Sequence, residues 1–407
     1  MAKVKKEDRV KKPSFFLYWL PAALTRPVFK AKWKHEIKRD KNIKKLVGPI
    51  VAIGNHASTV DVIMSIHALM PKRFNIVTGK DLFTWKQLKP FIKPFGCIPK
   101  SQCSLDLASM RIMKNAVDQG RNLLIYPEGK TSLDGTELKY LPVTIGKFLK
   151  FLDSNVVMVH TDGAYLTRPR YCKGFKKGKC FTRTYVLLTR EELKSLKPKE
   201  VYERVKEALK FNDNLWQREN NIRFVSEKPA QNLNYVLYKC PACGAEYETT
   251  SDGKKLHCHA CGNTVEYNEY GEFIPDEGSK AFDRIDLWYD YQRLAVREEL
   301  KKGDYRIEKE VVVSIENHEI DEFEERGAGQ FFFDGEEIGF RGKIDGEEIE
   351  LKQSLHGMNN IVTKNGEGVD LTFDDTIYRF MFTEHKWSTK FGLLVEENFA
   401  LKNGFVD

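Results

Sequence analysis

The sequence predicts an α/β domain on a mostly parallel mixed sheet, a small cysteine-bearing module, and a mainly-β module that ends in a helix. Three observations carry this prediction. Residues 46–190 alternate strand-like apolar runs with helix-periodic segments, the rhythm of a layered α/β fold. Two Cys-x2-Cys pairs lie close together between Cys240 and Cys261. Beyond residue 300, short alternating runs are separated by turn signals and closed by one helical stretch.

At 407 residues the chain has room for two or three domains, and its net charge of +8 hides a strong asymmetry. Residues 269–407 hold 17 Lys/Arg against 33 Asp/Glu, a net of −16 that leaves +24 for residues 1–268. The basic part is suited to an anionic partner: a membrane surface, a phosphorylated substrate or nucleic acid.

The elements follow in order. Residues 1–12 form a lysine-rich tail. Residues 13–45 mix six aromatics (Phe15, Phe16, Tyr18, Trp19, Phe29, Trp33) with cations, and Lys3 to Lys45 holds 15 basic against 4 acidic residues. Rings beside cations suit a segment lying in a membrane interface, so residues 1–45 are expected to form a basic aromatic interfacial arm. The plainer alternative is a helix that caps the core with a solvated lysine face.

The expected strands of the α/β domain, residues 46–229, are LVGPIVAIG, RFNIVT, RNLLIYPEG, VVMVHTDG and TRTYVLLT. A helix is expected over LDLASMRIMKNAVDQG, where Leu105, Ala108, Ile112, Met113 and Ala116 keep a helical period. Charged helical residues 191–229 close the domain. The cysteine module spans 235–270. The acidic mainly-β domain spans 284–407, opening on the helix-like RIDLWYDYQRLAVREELKKG and ending on STKFGLLVEENFALK. Its strands followed by a helix suggest a small antiparallel barrel or sandwich, similar by pattern to a pleckstrin-homology-like module.

No run reaches the roughly 18 to 20 apolar residues needed to span a bilayer. FFLYWLPAAL, residues 15–24, is unlike a signal peptide, since no small-residue cleavage site follows it. A peripheral protein on the cytoplasmic face of a membrane is expected. That compartment keeps thiols reduced and favours metal over disulfides at paired cysteines.

The chemistry starts at GNHASTVD, residues 54–61, where an expected strand hands over to a helix. Read locally, Ser58 and Asp61 have capping-box spacing and His56 is a loop histidine. The reading sharpens with YPEGKTS at 126–132, a second strand-to-turn passage. Turns at one end of a parallel sheet converge, which would bring Glu128, Lys130, Thr131 and Ser132 to face His56 and Asp61. A phosphate-loop reading of GKTS fails, because Leu124 stands where that pattern needs glycine.

Together these stretches resemble the glycerolipid acyltransferase family, which includes the lysophosphatidate acyltransferases. The NHxxxxD block is present as Asn55, His56 and Asp61, and FPEGTRS as YPEGKTS. FGCIPK, with Gly96, Ile98 and Lys100, corresponds to a GxI-type block, and VVMVHTDGA to the hydrophobic fourth block without its usual proline. The resemblance covers about residues 13–215.

It implies acyl transfer from acyl-CoA or acyl carrier protein to the hydroxyl of a lysophospholipid such as 1-acyl-glycerol-3-phosphate. His56 would be the general base and Asp61 its orienter. Backbone N–H groups after His56 or near Gly129 would hold the oxyanion. Asn55, Lys100, Glu128, Gly129, Lys130 and Thr131 are the substrate-binding candidates. The family's third block has threonine then arginine after its glycine, where this chain has Lys130 and Thr131, so the cation moves back one position.

Cys240, Cys243, Cys258 and Cys261 have zinc-ribbon spacing, with Gly244 and Gly262 at the tight turns. Four thiolates suit one closed, structural Zn2+ site, and His257 and His259 are not needed as ligands. A zinc-ribbon nucleic-acid-binding protein is the rival reading. It is disfavoured because the basic residues gather in the N-terminal arm and not around the ribbon.

Overall fold

The computed structural model describes residues 10–84, 89–92, 94–101, 106–317, 322–364, 366–374, 376–384 and 386–405. The first nine residues of the expected arm, with Cys103 and Leu105, lie outside them. The chain divides into two compact units. The first contains Met1–Ser101, Leu105–Pro169 and Lys176–Phe224; the second contains Gln102–Ser104, Arg170–Phe175 and Val225–Asp407.

The first unit runs α1 (Phe15–Trp33), β1 (Glu36–Arg39), β2 (Ile50–Gly54), α2 (Asp61–Leu69), β3 (Phe74–Gly79), α3 (Lys89–Ile92) and β4 (Ile98–Lys100). It continues with α4 (Leu107–Asp118), β5 (Asn122–Ile125), α5 (Thr144–Leu152), β6 (Asn155–Asp162), α6 (Ala164–Thr167) and β7 (Phe181–Leu188). Helices α7 (Arg190–Ser195), α8 (Pro198–Leu209) and α9 (Asp213–Glu219) close it. The seven strands form one sheet in the order β1-β7-β6-β2-β5-β3-β4. Only the β6–β7 pair is antiparallel, so the sheet is mixed and mostly parallel, as the sequence predicts.

Strand pleating sends successive side chains to opposite faces, and β2 shows this directly. Val51 and Ile53 join one buried cluster with Met113, Leu149 and Val205, while Ile50 and Ala52 join another with Tyr18, Ile66 and Phe74. Helices therefore cover both faces, which explains why the central strands read as continuous apolar runs. Residues 36–39, placed in the basic arm by composition, instead form edge strand β1, paired in parallel with β7.

Helix α1 divides the six aromatics of the arm between the two rival readings. Tyr18, Phe29 and Trp33 are buried, with Trp33 Nε1 donating to the Lys176 carbonyl at 2.8 Å. Phe15, Phe16, Leu20, Leu24 and Val28 are exposed, Phe16 at 79%. Trp19 sits between, packed partly against the core. Among the described residues no helix is long and apolar enough to cross a membrane.

The second unit contains a four-stranded antiparallel sheet of β8 (Thr249–Ser251), β9 (Lys255–Cys258), β10 (Thr264–Tyr267) and β11 (Phe273–Pro275). Helix α10 (Ile285–Leu300) follows, then β12 (Ile307–Asn317), β13 (Glu322–Phe333), β14 (Glu337–Ile344), β15 (Glu347–Ser354), β16 (Val362–Lys364), β17 (Gly368–Phe373), β18 (Thr376–Phe382) and α11 (Ser388–Lys402). The seven later strands form an antiparallel sheet in the order β15-β14-β13-β12-β18-β17-β16. Helix α11 is buried on most of its circumference. Phe391 stacks on Phe382, and Glu397 accepts from both Arg293 and Arg297 of α10.

Candidate active site and cysteine cluster

Strands β2, β5 and β6 are neighbours at the centre of the first sheet, and the turns after β2 and β5 meet at its carboxyl end. His56 sits in the first turn and Asp61 opens α2. Their side chains meet, with His56 Nδ1 and Asp61 Oδ2 at 3.1 Å. The same Oδ2 accepts the Ser58 N–H at 2.8 Å. The capping spacing and the His–Asp pair are therefore one arrangement. Asp61 is 1% exposed, and burial pushes its carboxyl above the usual carboxylate range, opposed by the His56 and Ser58 contacts. His56 keeps 18% of its side chain exposed.

Glu128 enters the site from the turn after β5. Its Oε1 accepts the His56 backbone N–H at 2.7 Å and its Oε2 accepts the Leu138 N–H at 2.8 Å. Burial pushes the carboxyl up to about 8, against these two N–H groups, which favour the ionised form. The His56 carbonyl in turn accepts the Ser132 N–H at 2.9 Å, so both sides of His56 are tied to the YPEGKTS turn. Tyr126 stacks on the imidazole, with ring centroids 4.3 Å apart, and its hydroxyl meets Ser65 Oγ at 2.9 Å.

The substrate-binding candidates separate on inspection. Asn55 is buried and spends its amide on Thr161, donating to its carbonyl and accepting its N–H, both at 2.8 Å. That pair locks the end of β2 to β6, and Glu128 is likewise committed to backbone. Gly129, at φ +71°, donates its N–H to the Tyr126 carbonyl at 3.1 Å, so that donor is already used by the turn. Lys130 and Thr131 are half-buried beside it. Lys100 ends β4 and donates to the Ser101 carbonyl at 2.9 Å. Its strand lies three places from β2, about 14 Å at the usual strand spacing. Composition and motif spacing did not point to Tyr126, Ser65 or Leu138. The aromatic preceding Pro127-Glu128 was the only available signal for any of them.

In the second unit the four cysteine sulfurs lie within 4.8 Å of one another. Cys240 and Cys261 are 3.8 Å apart, as are Cys243 and Cys258. Four sulfurs about 2.3 Å from a tetrahedral zinc stand about 3.8 Å apart, so this donor set fits the ion. The two knuckles repeat one geometry. Gly244 (φ +75°) donates to the Cys240 carbonyl at 3.0 Å, and Gly262 (φ +76°) to that of Cys258 at 2.8 Å. His257 faces Asp252 and Thr264, and His259 faces Thr250, so neither ring turns to the cluster.

Residues 34–180 match the family model described as Acyltransferase. The first unit thus carries a domain of the acyltransferase family, the family to which the sequence blocks pointed. No curated protein matches this chain. Among solved structures, the 1-acyl-sn-glycerophosphate (LPA) acyltransferase PlsC from Thermotoga maritima is similar at 13% identity. That match covers 47% of this chain and 76% of that one, with a TM-score of 0.40. The Ran binding domain of the nuclear complex component Nup2 from Ashbya gossypii is similar at 13% identity over 23% of this chain and 94% of that one, with a TM-score of 0.19.

Proposed function

We propose that the protein is a peripheral membrane O-acyltransferase. It moves a fatty acyl group from acyl-CoA or acyl carrier protein to the free hydroxyl of a lysophospholipid such as 1-acyl-glycerol-3-phosphate. The observation that carries this reading is the His56–Asp61 pair at 3.1 Å, held in an acyltransferase-family domain. With Nδ1–H donated to Asp61, Nε2 of His56 is the free base. It takes the proton of the acceptor hydroxyl as that oxygen attacks the thioester carbonyl. The thiol of the carrier then leaves, and no acyl-enzyme is required.

Lys130 and Thr131 contribute to the acceptor site from the turn after β5. The exposed stripe of α1 and the nearby Lys30, Lys32 and Lys34 dock the enzyme on an anionic cytoplasmic membrane face. The four cysteines hold one structural Zn2+, and the C-terminal sheet with α11 is read as a pleckstrin-homology-like module.

The deciding experiment incubates purified protein with labelled acyl-CoA and a panel of lysolipids, then identifies the product by mass spectrometry. No acylated product with any acceptor or carrier overturns the reading.

A further inference from the structure

We propose that Tyr126 is a positioning residue that keeps the His56 imidazole turned toward Asp61, and that Ser65 and Gly54 place Tyr126 for this task. The assignment rests on the acyl-transfer reading above and deepens it.

The contacts on His56 divide into those that hold its backbone and those that hold its ring. Glu128 accepts the N–H at 2.7 Å and the carbonyl accepts from Ser132 at 2.9 Å, which fixes the peptide groups. Asp61 takes Nδ1 at 3.1 Å, a contact on the ring edge alone. The terminal torsion of a histidine is broad and roughly two-fold, so an edge contact leaves the ring room to turn. The Tyr126 ring lies on one imidazole face, with centroids 4.3 Å apart and planes 21° from parallel. Rotation about Cβ–Cγ sweeps the imidazole out through its own face. A ring stacked there blocks the turn that would take Nδ1 away from Asp61. When His56 takes the acceptor's proton, the imidazolium also gains from the aromatic face beside it.

Two residues aim the Tyr126 ring. Its hydroxyl meets Ser65 Oγ at 2.9 Å, and both residues are buried. Ser65 stands four residues after Asp61 on α2, one turn along the same face. One helix therefore supplies the carboxylate for the imidazole edge and the hydroxyl that anchors the ring on its face. Gly54, at the end of β2, makes the room, since a Cβ there would come within 2.7 Å of Tyr126 Cε1. Tyr126 also packs in the cluster around Tyr18 and Phe74, a task open to other large apolar side chains. The Ser65 tie and the Gly54 opening are what direct it at the base.

The test uses full-length protein with isotope-labelled histidine, as wild type, Tyr126→Phe, Tyr126→Leu and Gly54→Ala. Nitrogen NMR reads the His56 tautomer, its signal assigned by its loss in His56→Gln. With the ring neutral, the wild type should show Nδ1–H alone. Tyr126→Leu and Gly54→Ala should mix the tautomers, while Tyr126→Phe should keep one. In acyl transfer, Tyr126→Leu should lower kcat by about 3- to 10-fold with KM nearly unchanged, the size expected for a lost aromatic pair. Gly54→Ala should reproduce that loss with every polar group of the site in place, and Tyr126→Phe should recover most of it. If Tyr126→Leu fails to fold, Gly54→Ala and Tyr126→Phe decide alone. A folded Tyr126→Leu or Gly54→Ala that keeps the wild-type tautomer, or the wild-type kcat, overturns the assignment and leaves the acyltransferase reading standing. If the wild type acylates no lysolipid, that reading falls, and the tautomer spectra still decide whether Tyr126 holds the ring.

Discussion

Glu128 grips His56 by its backbone: the carboxylate oxygen and the His56 N–H are 2.7 Å apart, and the second oxygen holds Leu138 at 2.8 Å. An acidic residue in a turn proposed to meet a phosphate poses an electrostatic puzzle, and these contacts support the proposal that Glu128 positions His56 instead of touching the substrate. Glu128→Gln turns one acceptor into an N–H donor facing another donor. The expected result is a loss of about 1–3 kcal/mol in stability and a lower kcat with KM nearly unchanged. A variant in which acceptor KM alone rose would return Glu128 to substrate binding.

His56→Ala should lower transfer by about 100- to 10,000-fold, the usual contribution of a general base. Asp61→Asn should slow the reaction with the fold retained, because an amide no longer fixes the Nδ1–H tautomer. The readout is single-turnover acyl transfer on a confirmed acceptor, with circular dichroism as the folding control. Near-normal turnover in His56→Ala would remove this histidine from the mechanism.

What the sequence made legible follows from chain physics. β2, β5 and β6 were readable because both faces of a central strand are buried, giving unbroken apolar runs such as Ile50–Gly54. β1 was not, because EIKR is a four-residue edge strand that carries charge to stay soluble. β4 and β16 are only three residues long, too short to show a period. Within the site, His56, Asp61 and Glu128 were visible as residue types at fixed spacing. The partners of Glu128 are backbone N–H groups, which every non-proline residue carries, so no pattern could have named Leu138.

The cysteine cluster predicts one zinc per chain by elemental analysis of protein kept reduced. Chelation, or Cys243→Ser, should open residues 235–270 to protease, since a structural zinc site contributes on the order of 10 kcal/mol to folding its module. Acyl transfer should change only indirectly. Reduced protein that holds no metal and keeps the module protease-resistant would refute the zinc assignment.

Two histidines under α1 predict an acid-sensitive fold. His35 and His67 are each pushed down to about 4 by burial, with rings 6.1 Å apart beside Phe29. His67 Nε2 meets the Ala22 carbonyl at 3.1 Å and Thr25 Oγ1 at 3.0 Å; His35 Nε2 meets Thr182 Oγ1 at 2.8 Å. Arg26 and Arg39 add further positive charge near His67. The unfolded chain takes up these protons at a higher pH than the folded one. The stability contribution is therefore complete above pH 6.5 and is lost as pH falls toward about 4. Melting temperature should drop through that window, and His67→Gln, which cannot titrate, should flatten the drop. An identical pH slope in wild type and variant would assign the acid sensitivity to other groups.

The last prediction concerns α1 and the membrane. Removing residues 1–45 is a poor test, because it would delete β1 and the buried Tyr18, Ala22, Phe29 and Trp33 along with the exposed stripe. Point charges separate the two roles. Phe16, Leu20 and Leu24 are 79%, 57% and 64% exposed, spaced one helical turn apart on the side away from the core. An apolar side chain that leaves water is worth about 1.5–3 kcal/mol, so Phe16→Glu with Leu20→Glu should weaken binding to anionic vesicles by at least about tenfold. The folded state should barely notice, since neither side chain is part of the buried clusters, and an unchanged melting temperature is the control. Raised salt should weaken wild-type binding as well, through Lys30, Lys32 and Lys34 at the far end of the helix. Vesicle binding by the double variant at the wild-type level, with the fold intact, would move the membrane contact to another surface and leave α1 with its packing role alone.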